Sequence, residues 1–307
     1  MRVLRTSEDR FAGLPDFGYE PHYVDLGIAV SVDGRDDALR IAYIDEGPRD
    51  GGVVVLLHGE PTWSFLYRGL IPPLAAAGFR VLVPDLVGFG RSDKPAEVAD
   101  HTYSRHVAWM RTALLDVLDL RDITLVCHDW GGLIGLRILA EQADRFARVV
   151  ATNTGLPDGH HRLPELWWRF HDFVVRTPDL PVGFLVQSGC RTELAPDVLA
   201  AYDAPFPSPE YKAGPRAMPD LIPQAPDHPE TPAQQQAWAA LAAYDRPFRT
   251  AFSDADPITA GVDELMQAGI PGATGQPHSR IAGGGHFVQE DCGPELTAVV
   301  LDCLGAG

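Results

Sequence analysis

The carboxylate of Asp129 has the strongest chemical context in the chain, because it lies in the segment CHDWGG from 127 to 132. An apolar run ends at this segment and an amphipathic run, GLIGLRILAEQ, begins in it, which predicts a strand, a sharp turn and a helix. Such an elbow strains its central residue and requires small neighbours two positions away, here Cys127 and Gly131. A carboxylate is ionised at neutral pH and can attack without a base, so Asp129 is a candidate nucleophile. The alternative is a structural role as helix N-cap, which Asp commonly fills.

Two later segments could supply an acid and a base for that nucleophile. SDADPIT, which contains Asp254 and Asp256, follows the apolar run FRTAF, and GGGHFVQED, which contains His286, follows HSRIA. The order nucleophile, acid, histidine is that of α/β-hydrolases, which place the last two on loops at the carboxyl edge of the sheet. We expect Asp256, which precedes Pro257, to orient His286 as the base. Asp254 is the alternative acid or caps the turn, and an ordinary surface histidine is the alternative for His286.

A third segment, HGEPTW from 58 to 63, could stabilise negative charge beside the nucleophile. It follows the strand-like run VVVLL and lies where α/β-hydrolases place a backbone N–H of the oxyanion hole. Gly59 makes the loop conformationally permissive. We expect the two donors to be the backbone amides of Glu60 and Trp130. The side chain of Glu60 could also position water, and its protonation state stays open because it would lie beside Asp129.

The elements that must position these residues are short apolar runs separated by longer helical patterns. This alternation is typical of a largely parallel sheet covered by helices on both faces. The runs predicted to be strands lie at 53–57, 80–84, 123–127, 148–152, 248–252 and 278–282. An earlier run at 38–47 alternates in polarity and is predicted to be an antiparallel edge strand.

The segment from about 156 to 229 is rich in proline and aromatic residues and has no convincing strand, which indicates an inserted helical cap. Helices are predicted at 164–176 and 195–203, each with proline near its start. The stretch PFPSPEYKAGPRAMPDLIP that follows has too many prolines for a long helix. The predicted organisation is therefore a core domain of residues 1–155 and 230–307 with a cap domain of residues 156–229.

Composition restricts the partners and the location. The 307-residue chain has a formal net charge of −17, which argues against nucleic acid as a partner, because such binding needs clustered Lys and Arg. No run approaches ~20 apolar residues and no apolar stretch follows MRVLRTSEDRF, so no membrane partner is expected and the cytoplasm is the expected location. Cys127, Cys190, Cys292 and Cys303 lack metal-ligand spacing, so free thiols and no metal are expected. A disulfide between Cys292 and Cys303 is the alternative.

Several of these segments together resemble a known family. HGEPTWSFLYRGLIP at 58–72, PDLVGFGRSDKP at 84–95, DWGG at 129–132 and YDAPFPSPEYKAG at 202–214 are similar to haloalkane dehalogenases of the α/β-hydrolase superfamily. GFGRSDKP and DWGG are shared across the superfamily, whereas HGEPTW with the APFP segment is more specific. The resemblance extends from about residue 20 to 295. It implies an α/β fold of the α/β-hydrolase type, with a mostly parallel eight-stranded sheet, helices on both faces and an inserted cap.

The resemblance also implies a mechanism and its residues. Asp129 would attack the halogen-bearing carbon to give an alkyl ester, and His286, held by Asp256, would activate water to hydrolyse that ester. The departing halide would be bound by two ring N–H groups, one from Trp130 and one from Trp167 or Trp168. We choose Trp168, because Arg169 and Phe170 after it match the family pattern. Only a small halogenated hydrocarbon, water and the halide product are implied as partners, without a cofactor, and the protein is expected to be a monomer or weak homo-oligomer.

One departure keeps a second function open. His128 precedes the nucleophile where relatives with the HGEPTW loop usually have Gln, and HDWGG is more familiar in epoxide hydrolases. Those enzymes use the same aspartyl ester but need cap tyrosines to protonate the epoxide oxygen, for which Tyr202, Tyr211 and Tyr244 are available by type. A noncatalytic binding protein with this fold is the third alternative, since fold alone does not establish chemistry.

Overall fold

The computed structural model describes residues 1–160 and 162–306, and within them one sheet of ten strands. The strands are β1 (Arg2–Leu4), β2 (His22–Val32), β3 (Arg35–Glu46), β4 (Val53–Leu57), β5 (Arg80–Pro84), β6 (Lys94–Pro95), β7 (Ile123–His128), β8 (Phe146–Thr152), β9 (Phe248–Ser253) and β10 (Ser279–Ile281). Their order across the sheet is β10-β9-β8-β7-β4-β5-β3-β2-β1-β6. All six runs predicted at 53–57, 80–84, 123–127, 148–152, 248–252 and 278–282 are strands.

The six strands that position the site are parallel. β4 pairs in parallel with β5 and β7, and the parallel pairing continues through β8 and β9 to β10. Their carboxyl ends therefore meet at one edge, as expected for an open α/β sheet. The mostly parallel sheet is confirmed. The expected number of eight strands was wrong, because the described residues form ten: the very short β1 and β6 extend the sheet beyond β2.

The predicted edge strand at 38–47 was wrong in its position. Its residues belong to β3, which pairs antiparallel with β5 on one side and with β2 on the other. β2 escaped prediction because its polar residues and a register shift between Asp25 and Ala29 interrupt the alternation of apolar residues. The sequence contained one usable signal, the pair Asp33 and Gly34, because Asp-Gly is typical of two-residue hairpins. In the structure these two residues form the turn between β2 and β3, with φ values of 50° and 76°.

Helices flank this sheet. Those outside the insertion are α1 (Ile71–Ala76), α2 (Tyr103–Arg111), α3 (Trp130–Glu141), α8 (Thr231–Leu241), α9 (Val262–Gly269), α10 (Val288–Asp291) and α11 (Gly293–Leu304). α3 packs against β7, α2 and α8. Ten of its residues are buried, so the helix that follows Asp129 is fixed from several sides.

The insertion between β8 and β9 is helical, as its composition indicated. It contains α4 (Glu165–Arg176), α5 (Val182–Gly189), α6 (Pro196–Asp203) and α7 (Ala213–Leu221). The predicted helices at 164–176 and 195–203 correspond to α4 and α6. α5 was not predicted, and α7 forms a short helix in the proline-rich stretch, with Pro219 inside it. Residue 161 of the predicted cap lies outside the described residues, and the domain boundaries at 155/156 and 229/230 stay predictions.

The four cysteines are free thiols, so the alternative of a disulfide between Cys292 and Cys303 is wrong. Among the described residues, no helix combines the length and the apolar character needed to span a membrane.

Candidate active site

Asp129 lies at the junction of β7 and α3 with φ 48° and ψ −126°, a conformation that non-glycine residues rarely adopt. Its N–H donates to Asn153 O at 3.1 Å, and its carbonyl accepts from Gly132 N at 2.9 Å. The hydroxyl of Thr154 donates to the same carbonyl at 2.7 Å. These contacts hold the strained backbone of the elbow predicted from CHDWGG.

The small residue two positions after Asp129 is required by close packing. A Cβ atom on Gly131 would lie 2.1 Å from the carbonyl oxygen of Leu57, a distance that atoms cannot tolerate. The first turn of α3 therefore sits directly against the end of β4. This contact brings the elbow and the HGEPTW loop to the same point on the sheet edge.

His286 and Asp256 complete a triad with Asp129. Nδ1 of His286 lies 3.1 Å from Oδ2 of Asp256, and Nε2 lies 3.6 Å from Oδ2 of Asp129. Asp256 is itself fixed, because it accepts hydrogen bonds from Ile258 N at 2.9 Å and Thr259 Oγ1 at 2.5 Å. Asp254 instead accepts from Gly283 N at 2.8 Å. The structure thus brings Asp256, and not Asp254, to the histidine.

The backbone of His286 is held by residues that the sequence reasoning missed as site residues. Its carbonyl oxygen accepts from His128 Nε2 and from Asn153 Nδ2, both at 2.8 Å. Its N–H donates to Gly189 O at 2.7 Å. Asn153 follows β8 directly, and a polar residue at the carboxyl end of a buried parallel strand is the signal that could have found it.

The backbone amides of Glu60 and Trp130 both reach Asp129, as expected. Glu60 N lies 2.8 Å from Asp129 Oδ1, and the hydrogen bond from Trp130 N helps to lower the pKa of Asp129. The side chain of Glu60 is buried and its Oε1 has no partner among the described residues. Burial first, and the charge of Asp129 second, raise the pKa of Glu60 well above its usual value. The negative charge beside the elbow therefore resides on Asp129.

Burial and charge act in opposite directions on the triad. Burial alone would raise the pKa of Asp129, but the nearby charged ring of His286 keeps the pKa below its usual value. Burial alone would lower the pKa of His286, but Asp256 and Asp129 together raise it to about 10. The pKa of Asp256 is lowered, because the charge of His286 outweighs burial. In the free protein at neutral pH, the site is an imidazolium between two carboxylates.

A mostly apolar cavity of about 220 Å³ lies above Asp129. Its polar wall is formed by Glu60, Asp129, Ser188 and His286. The apolar residues of its wall are Pro61, Trp130, Leu166, Trp167, Phe170, Leu185, Gly189, Pro219, Ile222, Ile258 and Phe287. This lining suits a small apolar ligand with one reactive centre, because the wall is mostly apolar and its few polar groups lie around Asp129.

The cavity wall contains Trp167 and not Trp168, contrary to the choice made from the sequence. Trp167 is 5% exposed, and the ring of Trp168 packs edge-on against it with centroids 4.9 Å apart. Adjacent helical residues point about 100° apart, since a turn holds 3.6 residues. Leu166 and Phe170 share the wall with Trp167, so this face of α4 is turned toward the cavity and Trp168 lies outside it.

Comparisons with known proteins agree with this geometry. Residues 52–178 match the family model of the alpha/beta hydrolase fold. A haloalkane dehalogenase of Psychrobacter cryohalolentis is 52% identical over 99% of this chain and 98% of its own length. This chain belongs to the haloalkane dehalogenase family. Another family member, from Mycobacterium marinum, is 48% identical over 98% of this chain and 99% of its own length.

A solved dehalogenase structure has the same overall fold. It is the tetrameric haloalkane dehalogenase DpaA from Paraglaciecola agarilytica NO2, which is 36% identical and covers 97% of both chains with a TM-score of 0.86. The α/β-hydrolase fold is thereby confirmed for this dehalogenase chain across nearly its whole length.

Proposed function

We propose that this chain hydrolyses the carbon–halogen bond of small haloalkanes through an ester on Asp129, giving an alcohol, a halide ion and a proton. The observation that carries the proposal is the position of an ionised Asp129 at the base of a small apolar cavity, beside His286. A serine at the elbow would need a base before attack, whereas this carboxylate needs none. Family membership supports the same reaction.

In the first step, the carboxylate attacks the carbon that bears the halogen. A carbon–oxygen bond forms, and the carbon–halogen bond breaks with its electron pair leaving on the halide. We assign the halide to the ring N–H groups of Trp130 and Trp167, which both border the cavity. Indole N–H groups suit this role because they only donate, and a halide only accepts. This assignment replaces Trp168 by Trp167.

Before the second step, the His286 imidazolium releases its proton to solvent. The neutral ring then takes a proton from water, and the resulting hydroxide attacks the carbonyl carbon of the ester on Asp129. Breakdown releases the alcohol, which takes the proton of the attacking hydroxide, and restores the carboxylate, and His286 is again the imidazolium of the free protein. Esterification removes the charge of Asp129, one of the two charges that raise the pKa of His286. The pKa of His286 therefore falls when the ester forms, which favours the neutral ring that acts as the base. The amides of Glu60 and Trp130 are placed to stabilise the oxyanion of this step.

The geometry does not favour the alternative of epoxide hydrolysis. That reaction needs phenol O–H groups above the nucleophile, and none of Tyr202, Tyr211 and Tyr244 is among the described residues that line the cavity. Tyr202 is fully buried and donates to Glu290 instead. The intact triad likewise gives no support to a noncatalytic binding protein.

The remaining partner and location assignments rest on the sequence and family. A halogenated substrate and water follow from the family's reaction, and the need for no cofactor stays a prediction. Cytoplasmic location and a monomer or weak homo-oligomer also stay predictions, while the solved relative is described as tetrameric.

The first experiment is halide release from 1,2-dibromoethane and 1-bromobutane, beside diol formation from styrene oxide. We expect bromide release that is lost in Asp129→Asn and kept in the matched control Asp254→Asn. His286→Gln should slow turnover roughly 10²–10⁴-fold and leave a butyl ester on Asp129 that mass spectrometry of peptides detects. Diol formation without bromide release, or an active protein that never forms the ester, would overturn the proposal.

A further inference from the structure

The loop that carries His286 has little support from its own strand. It follows β10, which has three residues and lies at the end of the sheet, where it pairs with β9. Three glycines, Gly283 to Gly285, precede the histidine. Because glycine restricts the backbone least, the position of His286 depends on contacts from outside the loop.

Asp291 supplies such contacts on two sides. Its Oδ2 accepts the N–H of Gly285, the residue before the histidine, at 2.7 Å. Its Oδ1 accepts Thr192 N at 2.8 Å and Thr192 Oγ1 at 2.6 Å, and Arg191 N lies 2.9 Å from both oxygens. One carboxylate at the end of α10 therefore joins the His286 loop to the turn after α5. Hydrogen bonds to an ionised acceptor are among the strong ones in proteins.

The turn that Asp291 holds is continuous with the wall of the substrate cavity. Leu185, Ser188 and Gly189 of α5 line that cavity, and Gly189 O accepts the N–H of His286 at 2.7 Å. The two backbones are in direct contact, because a Cβ on Gly285 would lie 2.4 Å from Gly189 O. The backbone of the cavity wall is therefore in direct contact with the loop that carries the base.

We propose that Asp291 is a positioning residue that fixes the turn 189–192 of the cap against the His286 loop and so sets the base relative to the ester. The inference rests on the proposed ester mechanism and deepens it. Asp291 is not among the described residues that line the cavity, and it acts through Gly285 and the turn.

This role predicts a larger effect on the second step than on the first. Asp129 is held by Asn153, Thr154 and the amide of Glu60, and Asp291 contacts none of these. Attack on the haloalkane does not use His286, whereas hydrolysis of the ester does. Loss of Asp291 should therefore slow the second step much more than the first.

The test is rapid-quench kinetics with 1-bromobutane, in which bromide gives the first step and the mass of the Asp129 ester gives the second. We expect Asp291→Ala to slow ester hydrolysis roughly ten- to hundredfold, since a misplacement near 1 Å has effects of this size. The ester should accumulate at steady state, while the bromide burst is slowed much less than ester hydrolysis. Asp291→Asn keeps one acceptor oxygen and should lie between Asp291→Ala and the wild type.

The matched control is Asp254→Ala, which removes a carboxylate that binds Gly283 N of the same loop but does not reach the cap. It should not accumulate ester. If Asp291→Ala does not fold, Thr192→Val replaces it, because this variant removes one hydrogen-bond donor to Asp291 and leaves Asp291 itself unaltered. Thr192→Val should also slow ester hydrolysis, but by a smaller factor. Equal slowing of both steps, or none, would overturn the positioning role. A wild type that forms no ester would instead overturn the proposed function.

Discussion

The two carboxyl oxygens of Asp129 have different surroundings, and the difference indicates which of them reacts. Oδ1 accepts the N–H of Glu60 at 2.8 Å, whereas Oδ2 lies 3.6 Å from Nε2 of His286, beyond a good hydrogen bond. An oxygen that already accepts a strong hydrogen bond is the weaker nucleophile. We therefore infer that Oδ2 attacks the carbon, so that Oδ1 becomes the ester carbonyl oxygen and already lies in the oxyanion hole.

The assignment of the second halide donor can be tested at the same scale. Trp167→Phe keeps the ring in the cavity wall and removes its N–H, so we expect kcat/KM for 1-bromobutane to fall roughly ten- to hundredfold, as a hydrogen bond to a charged group is worth about 1.5–3 kcal/mol. Trp168→Phe is the matched control and should remain within about twofold. Steady-state bromide release measures both. The reverse ranking would return the role to Trp168.

The meeting of Asp129, Asp256 and His286 at one edge of the sheet was predictable from the sequence, because each residue follows a recognisable strand in a fixed order. The local sequence favoured Trp168 through Arg169 and Phe170, but it does not show which side of the helix faces the cavity. The choice depends on the rotation of α4 about its axis. That rotation is set by packing against α7, a helix that the proline-rich sequence did not predict.

At the scale of elements, the site exists because the loop after β4 approaches the elbow before α3 very closely. A Cβ on Gly59 would lie 2.1 Å from Oδ1 of Asp129 and 2.5 Å from its Cβ. The absence of a side chain at this position lets the amide of Glu60 reach the nucleophile. Gly59 is needed here because its missing side chain leaves room for Asp129, and not because of an unusual backbone angle.

Gly59→Ala should therefore displace the nucleophile or the oxyanion loop. We expect kcat for bromide release to fall at least about 100-fold, with a loss of about 1–3 kcal/mol in the free energy of unfolding from overpacking. Gly69→Ala is the matched control, because nothing lies within 4 Å of a Cβ there. Urea unfolding and bromide release measure the two effects. Wild-type kcat in Gly59→Ala would show that the loop does not need this approach.

Strands were easier to predict than helices in this chain. Buried parallel strands such as β4 and β7 are continuous apolar runs, and their pattern does not depend on the rest of the fold. α5 and α7 have weak local signals, because glycine and proline lie within them and their stability comes from packing on neighbouring elements. β2 also has a weak local signal, because polar residues and a register shift interrupt its alternation. Without β2, the sequence placed β3 at the edge of the sheet.

At the scale of the whole molecule, the cap is tied to the core by contacts that are far apart in the chain. Trp63 Nε1 donates to Ala201 O at 3.1 Å across 138 positions. The N-terminal segment adds bonds from Thr6 to Pro205 O at 2.6 Å and from Arg10 to Ala204 O at 3.2 Å. No local sequence pattern encodes such long-range pairs. The sequence therefore indicated a cap but did not indicate how the cap packs on the core.

A buried histidine pair at this junction makes the whole fold sensitive to acid. The ring of His101 lies against Gly88 of the core and Gly214 of α7, and its Nδ1 is 3.1 Å from Nε2 of His106. Burial lowers the pKa of His101 from 6.5 to about 4 and that of His106 well below its usual value. The unfolded chain therefore binds protons that the folded chain rejects, so the free energy of unfolding falls as pH drops from about 6.5 toward 4.

The contribution of His101 can be isolated by urea unfolding at pH 7 and pH 5. A shift from 6.5 to about 4 corresponds to a loss of about 2 kcal/mol between these pH values. His101→Gln cannot be protonated, so its loss on acidification should be smaller than that of the wild type by about this amount. His22→Gln, on the half-buried strand β2, is the control and should follow the wild type. If His101→Gln also follows the wild type, protonation of this pair does not limit the acid stability of the core–cap junction.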